Sequence, residues 1–123
     1  MRIALIGIVL LQFAGAQIAL AGGADVVDVN VRERSDGSFL FEVTVSHADE
    51  GWDHYANAFE IVDESGAVLG TRVLAHPHVN EQPFTRSLNS VQVPAGLSKV
   101  IVGAVDNVHD RTGKTMTVTL PGR

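Results

Sequence analysis

Five histidines and no cysteine define the chemistry open to this 123-residue chain. Imidazole is the commonest side-chain ligand for borderline metals and suits copper(II), zinc(II) and nickel(II). The missing thiols exclude disulfides, thiolate metal sites, thiol nucleophiles and cysteine-attached lipids. His76-Pro77-His78 is the sharpest local feature. Residues two apart in an extended segment point to the same side. Proline keeps the residue before it extended. Two imidazoles would thus meet one ion at little entropic cost, with a third ligand from His47, His54 or His109. Asp49, Asp53, Glu81, Asp106 and Asp110 offer oxygen ligands, or partners that orient a histidine. Copper(I) suits the set less well, because only Met116 would remain as a soft ligand after export.

Two further segments surround these residues. Gly51-Trp52-Asp53-His54-Tyr55 holds the only Trp and the only Tyr. Trp52 is expected to cap the apolar core, and Tyr55 to do so less; the alternative is a recognition surface for a partner. Arg86 is expected to pair with Glu81 or with an Asp of a neighbouring loop, and otherwise to receive an anionic partner group. Enzyme signatures are missing: there is no G-x-S-x-G elbow, no H-E-x-x-H helix and no phosphate-cradling glycine loop. The sequence therefore reads as non-enzymatic. Copper redox chemistry in the style of copper/zinc superoxide dismutase stays open, although that enzyme's disulfide and remaining ligand pattern are lacking.

The elements that must hold these residues begin with a leader. Arg2 precedes an apolar run from Ile3 to Leu11, and Ala19-Leu20-Ala21 supplies an A-x-A cleavage site. That order describes a secretory signal peptide over residues 1–21, cut after Ala21, with Ala14-Gly15-Ala16 as a weaker site. Gln12 and Gln17 interrupt the run, so a stable membrane span is not expected. Removing 21 residues and one base leaves 102 residues with a net charge of −6. The expected location is periplasmic or secreted. An acidic chain of this kind is a poor nucleic-acid binder, and the expected partners are a metal ion and a periplasmic protein.

Residues 22–123 are expected to form a single domain. Apolar residues alternate at Val27, Val29 and Val31, and at Phe39, Phe41, Val43 and Val45. Shorter runs follow at Phe59–Ile61, Val68–Ala75, Phe84–Val93 and Met116–Leu120. Val100–Val105 is almost continuously apolar, as in a strand covered on both faces. Turn sequences at Arg34–Gly37, Asp63–Gly66 and Pro94–Gly96 separate several of these runs. Seven short strands in about 100 residues predict an all-β fold, a seven-stranded immunoglobulin-like or fibronectin type III-like β-sandwich. If successive strands reverse direction, His47, His54, His76, His78 and His109 all fall at one end. The opposite end keeps the tight glycine turns. A crossover that preserved strand direction would break this placement.

The stretches His47…Gly51-Trp52…His54-Tyr55-Ala56, His76-Pro77-His78…Glu81-Gln82-Pro83-Phe84-Thr85-Arg86 and Asp106…Val108-His109 resemble those of a group of small uncharacterised exported bacterial proteins. The resemblance spans most of the chain after the leader. It implies an exported β-sandwich and transfers no catalytic residue.

Overall fold

A computed structural model describes residues 22–123. The expected leader, residues 1–21, lies outside the described residues. Seven strands follow in chain order: β1 (Asp25–Glu33), β2 (Phe39–Ser46), β3 (Ala56–Val62), β4 (Val68–Val73), β5 (Phe84–Val91), β6 (Lys99–Asp106) and β7 (Met116–Thr119). They form two antiparallel sheets, one ordered β1-β2-β5 and the other β4-β3-β6-β7. The expected all-β sandwich of seven strands is therefore what the chain adopts. The immunoglobulin constant arrangement places its fourth strand in the other sheet. Here β4 stays hydrogen-bonded to β3.

The alternating pattern in β2 explains why that strand is central. Phe39, Phe41, Val43 and Val45 are each fully buried, while the residues between them face outward. They meet Phe59 and Ile61 of β3 and Val100, Val102 and Ala104 of β6 across the sandwich. β6 is covered on its second face as well. Gly103 faces Arg111 so closely that a Cβ there would stand 2.5 Å from Arg111 Cδ. The loop after β6 thus folds back over the sheet, and Arg111 pairs with Glu60 of β3 at 3.7 Å. That cover is the physical basis of the unbroken apolar run.

β1 departs from the expected phase. A bulge between Val26 and Asp28 moves the inward face by one residue. Val26 is buried and Val27 is half exposed, although a strict alternation through Val27, Val29 and Val31 would bury Val27. A bulge inserts one unpaired residue and so exchanges the two faces of a strand.

Register brings three chain segments to one pole. β2 ends at Ser46, immediately before His47. β3 begins at Ala56, which lies opposite Asp106, the last residue of β6. The loop before β3 and the loop after β6 are then joined by hydrogen bonds. The Asn107 amide donates to the Tyr55 carbonyl, and the Tyr55 amide donates to Asn107 Oδ1 at 2.8 Å.

Candidate metal centre

Asp106 is the hub of this pole, and its side chain is fully buried. Oδ1 accepts the backbone amides of Val108, at 3.0 Å, and of His109. Oδ2 is approached by three imidazoles: His47 Nε2 at 3.1 Å, His54 Nε2 at 3.0 Å and His109 Nδ1 at 2.9 Å. A carboxylate has about four lone-pair sites on two oxygens. Five nitrogens converge on those four sites, three of them on one oxygen. Burial pushes the Asp106 carboxyl up, but the hydrogen bonds from His109, His54 and Val108 prevail and hold it far below the usual carboxylate range. The same contact works on His54 in the opposite sense. Its hydrogen bond to Asp106 raises the imidazole above its ordinary value against the cost of burial, with further help from the charges of Asp106 and Glu50. The pole is built around a buried negative charge that requires positive charge beside it.

His47 reveals what kind of positive charge fits. Its Nδ1 lies 2.6 Å from Asp49 Oδ1. Asp49 also accepts the Ala56 amide on Oδ1, at 2.9 Å, and the His78 amide on Oδ2, at 2.7 Å. An ionised carboxylate only accepts, so the network places the His47 proton on Nδ1. In a neutral imidazole Nε2 then carries a lone pair. That nitrogen faces two more acceptors, the Gly22 carbonyl at 3.0 Å and Asp106 Oδ2 at 3.1 Å. A lone pair facing two oxygens is repulsive unless a cation sits among them. The cation is either a second proton on His47 or a metal ion.

The arrangement has the parts of a metal site. His47, His54 and Asp106 each offer one ligand atom, these atoms lie within 4.8 Å of one another, and all three residues are buried. The 3.0 and 3.1 Å separations are slightly shorter than the roughly 3.4 Å edge of a tetrahedron with bonds near 2.05 Å. A small outward movement would thus admit an ion. Asp49 stands behind His47, and Glu50 Oε2 lies 3.6 Å from His54 Nδ1. A carboxylate behind a ligating histidine fixes its tautomer and raises its basicity. His54 packs edge-on to His47, with ring centroids 4.8 Å apart, and tilted against His109 at 4.9 Å. His109 is the most solvent-accessible member, its side chain 39% exposed.

The expected ligands separate into two groups. His47, His54, His109 and Asp106 come together. His76 and His78 lie at the same pole but form their own pair, with ring centroids 4.6 Å apart. They connect to the first group through the backbone, where the His78 amide donates to Asp49. The His78 ring stacks on Phe84 at 4.0 Å, and Arg86 donates to its Nε2 at 3.1 Å. Burial, aided by the charges of Arg86 and His76, keeps that imidazole below its ordinary value. A guanidinium occupying Nε2 is a poor neighbour for a metal cation. His76 turns its Nδ1 to the Pro77 carbonyl at 2.9 Å. The same-side spacing in His76-Pro77-His78 therefore brings the two rings together without joining them to the buried group.

The remaining residues place as follows. Arg86 also lies 3.7 Å from Glu81. Asp53 and Asp110 are exposed. Asp110 acts through its backbone, which exchanges hydrogen bonds with that of Asp106 at 3.0 and 3.1 Å. Trp52 is 66% exposed, contrary to its expected place over the core. It rests edge-on against Tyr55, 5.6 Å between centroids, because the Asn107 side chain holds the Trp52 carbonyl and turns the loop outward. Two contributors escaped the sequence reading. Glu50 carries a faint signal, standing four residues before His54. The Gly22 carbonyl carries none, since any residue has one.

A protein from Halomicrobium mukohataei with the description "Putative lipoprotein" is 38% identical to this chain over 95 residues. The match covers 77% of this chain and 46% of that protein, so the chain spans about half of its relative's length. No family model matches the chain, and no solved structure is similar to it. Among the described residues no helix is long and apolar enough to cross a membrane.

Proposed function

We propose that this chain is an exported β-sandwich that carries or buffers a transition metal, copper(II) or zinc(II), at its histidine-bearing pole. His47 Nε2, His54 Nε2 and Asp106 Oδ2 are the ligands, and His109 stands beside them on the solvent side. Asp49 and Glu50 orient the two buried imidazoles. The observation that carries this reading is the setting of His47: Nδ1 meets Asp49, and Nε2 stands 3.0 Å from the Gly22 carbonyl and 3.1 Å from Asp106 Oδ2, a group of acceptors that a small outward movement would open to a cation. Nitrogen and carboxylate oxygen together suit zinc(II) and copper(II) better than copper(I). The leader pattern in residues 1–21 and the description of the relative support export. These 123 residues hold no cysteine that could carry a lipid. His76 and His78 receive a structural role beside Phe84 and Arg86.

Calorimetric titration of the metal-free protein with zinc(II) and copper(II) tests the reading. Dissociation constants below about 10 micromolar, about 7 kcal/mol of binding, are expected. His54→Ala and Asp106→Asn should each abolish that binding. Failure to bind either ion this tightly would leave the histidine contacts with Asp106 and Asp49 as the purpose of the cluster.

A second reading rests on Trp52, whose exposed ring and neighbour Tyr55 flank the same pole. In that reading the pole grips a periplasmic protein and needs no metal. Trp52→Ala separates the two: it should leave metal affinity unchanged and affect only binding to a protein.

A further inference from the structure

The metal reading counts the Gly22 carbonyl, 3.0 Å from His47 Nε2, among the oxygens around the ion but gives Gly22 no place among the ligands. This contact is held in place. The Val26 amide donates to the Lys114 carbonyl at 2.8 Å, and the Lys114 amide donates to Asp25 Oδ1 at 2.7 Å. Gly23 and Gly113 allow the two segments to touch. A Cβ on Gly23 would stand 2.5 Å from Thr112 Oγ1 and 2.8 Å from the Thr112 carbonyl carbon. A Cβ on Gly113 would strike the Ala24 carbonyl. Ala24 itself is fully buried. Glycine is required where backbones approach this closely. The chain thus spends two glycines on seating Gly22 at the candidate metal centre.

The leader pattern adds a chemical consequence. Cleavage after Ala21 makes Gly22 the first residue and turns its amide nitrogen into a free amine. An amide nitrogen is a poor ligand, whereas a neutral amine is a good one. The amine and the carbonyl oxygen of one residue close a five-membered ring on a metal ion. We propose that Gly22 chelates the ion held by His47, His54 and Asp106, through its carbonyl oxygen and the α-amine released when the leader is removed. The proposal rests on the metal reading above. It ties full affinity to processing: the uncut chain offers only the carbonyl, and the cut chain offers both atoms. The amine gives up its proton to solvent as the ion arrives.

The test uses the full chain produced with its own leader and recovered after export. Intact mass should place the amino terminus at Gly22. Zinc(II) affinity is then compared before and after acetylation of the α-amine near neutral pH. Lys99 and Lys114 are the only lysines, and peptide mapping restricts the comparison to protein acetylated at the α-amine alone. Acetylation should weaken zinc(II) about tenfold or more, a typical cost for losing a supporting group at a metal site. Saturating zinc(II) should protect the amine from acetylation. In Gly23→Ala, where Gly22 is pushed away, acetylation should change affinity less than about twofold. A mature terminus other than Gly22, or tight zinc(II) binding that acetylation leaves unchanged, would overturn the chelate and spare the metal reading. Absence of tight zinc(II) binding before acetylation would overturn both.

Discussion

Replacing Asp49 by Asn removes one charge and leaves the shape of the side chain nearly intact. Asp49 is buried and accepts three hydrogen bonds, from His47 Nδ1 at 2.6 Å, the Ala56 amide at 2.9 Å and the His78 amide at 2.7 Å. An asparagine keeps one oxygen, which can serve His47 and Ala56. Its NH2 then faces the His78 amide, donor against donor. A hydrogen bond to a charged group contributes about 1.5–3 kcal/mol, and a buried unsatisfied donor costs about 1–3 kcal/mol. Relief from burying the carboxylate offsets part of this. The expected net loss is about 2–4 kcal/mol of metal-free stability, read as the urea midpoint at constant slope. Asp49 is not a ligand, yet metal affinity should also fall by about 10- to 100-fold, because His47 loses the carboxylate that fixes its tautomer. Competition with a chromophoric chelator measures that fall. Stability within about 0.5 kcal/mol of wild type, together with affinity within about twofold, would refute the role assigned to Asp49.

Zinc(II) at about 100 times its dissociation constant should stabilise the protein by about 2.7 kcal/mol, a shift that a chelator reverses and that His54→Ala lacks. His76→Ala should leave zinc(II) affinity within about twofold. His78→Ala should destabilise the metal-free protein by about 1–3 kcal/mol through lost packing on Phe84 and the lost hydrogen bond from Arg86. Urea melts of the metal-free protein should depend on pH in opposing ways. The raised His54 contributes stability that is present below pH 6.5 and lost as pH climbs through its folded value. The depressed Asp106 contributes stability that is present above pH 3.8 and lost as pH falls through its folded value. The depressed His78 contributes stability that is present above pH 6.5 and lost as pH falls toward its own folded value. His54→Gln should therefore flatten the decline above pH 6.5, and an unchanged decline would contradict the Asp106 contact.

Much of the sandwich was legible because period-two alternation in a half-buried strand is a local property. β2 shows it most clearly: four apolar residues point inward and their neighbours outward. The phase of β1 was not legible, since Val26, Val27, Val29 and Val31 are all apolar and a bulge depends on how the partner strand pairs. Trp52 was misplaced for a related reason. Large aromatics are usually buried, but Asn107, 55 residues away, decides where this loop turns.

At the candidate site the sequence alone determined the donor types. Five histidines with no cysteine make nitrogen and oxygen the main donors for any metal, with Met116 the one thioether after the leader. Strand reversal was enough to place all five histidines at one pole, because an antiparallel sandwich without a direction-preserving crossover returns every second connection to the same end. The grouping within that pole was decided by tertiary structure. His76 and His78 are neighbours in sequence, yet Phe84 and Arg86 claim His78. His47 and His54 lie more than 50 residues from Asp106 and His109, yet Asp106 gathers all three histidines. A buried carboxylate at the end of a central strand must find positive charge or donors within reach. Which side chains supply them depends on the register of β3 against β6, on the packing of two sheets, and on two glycines that seat Gly22 against the loop carrying Thr112 and Gly113.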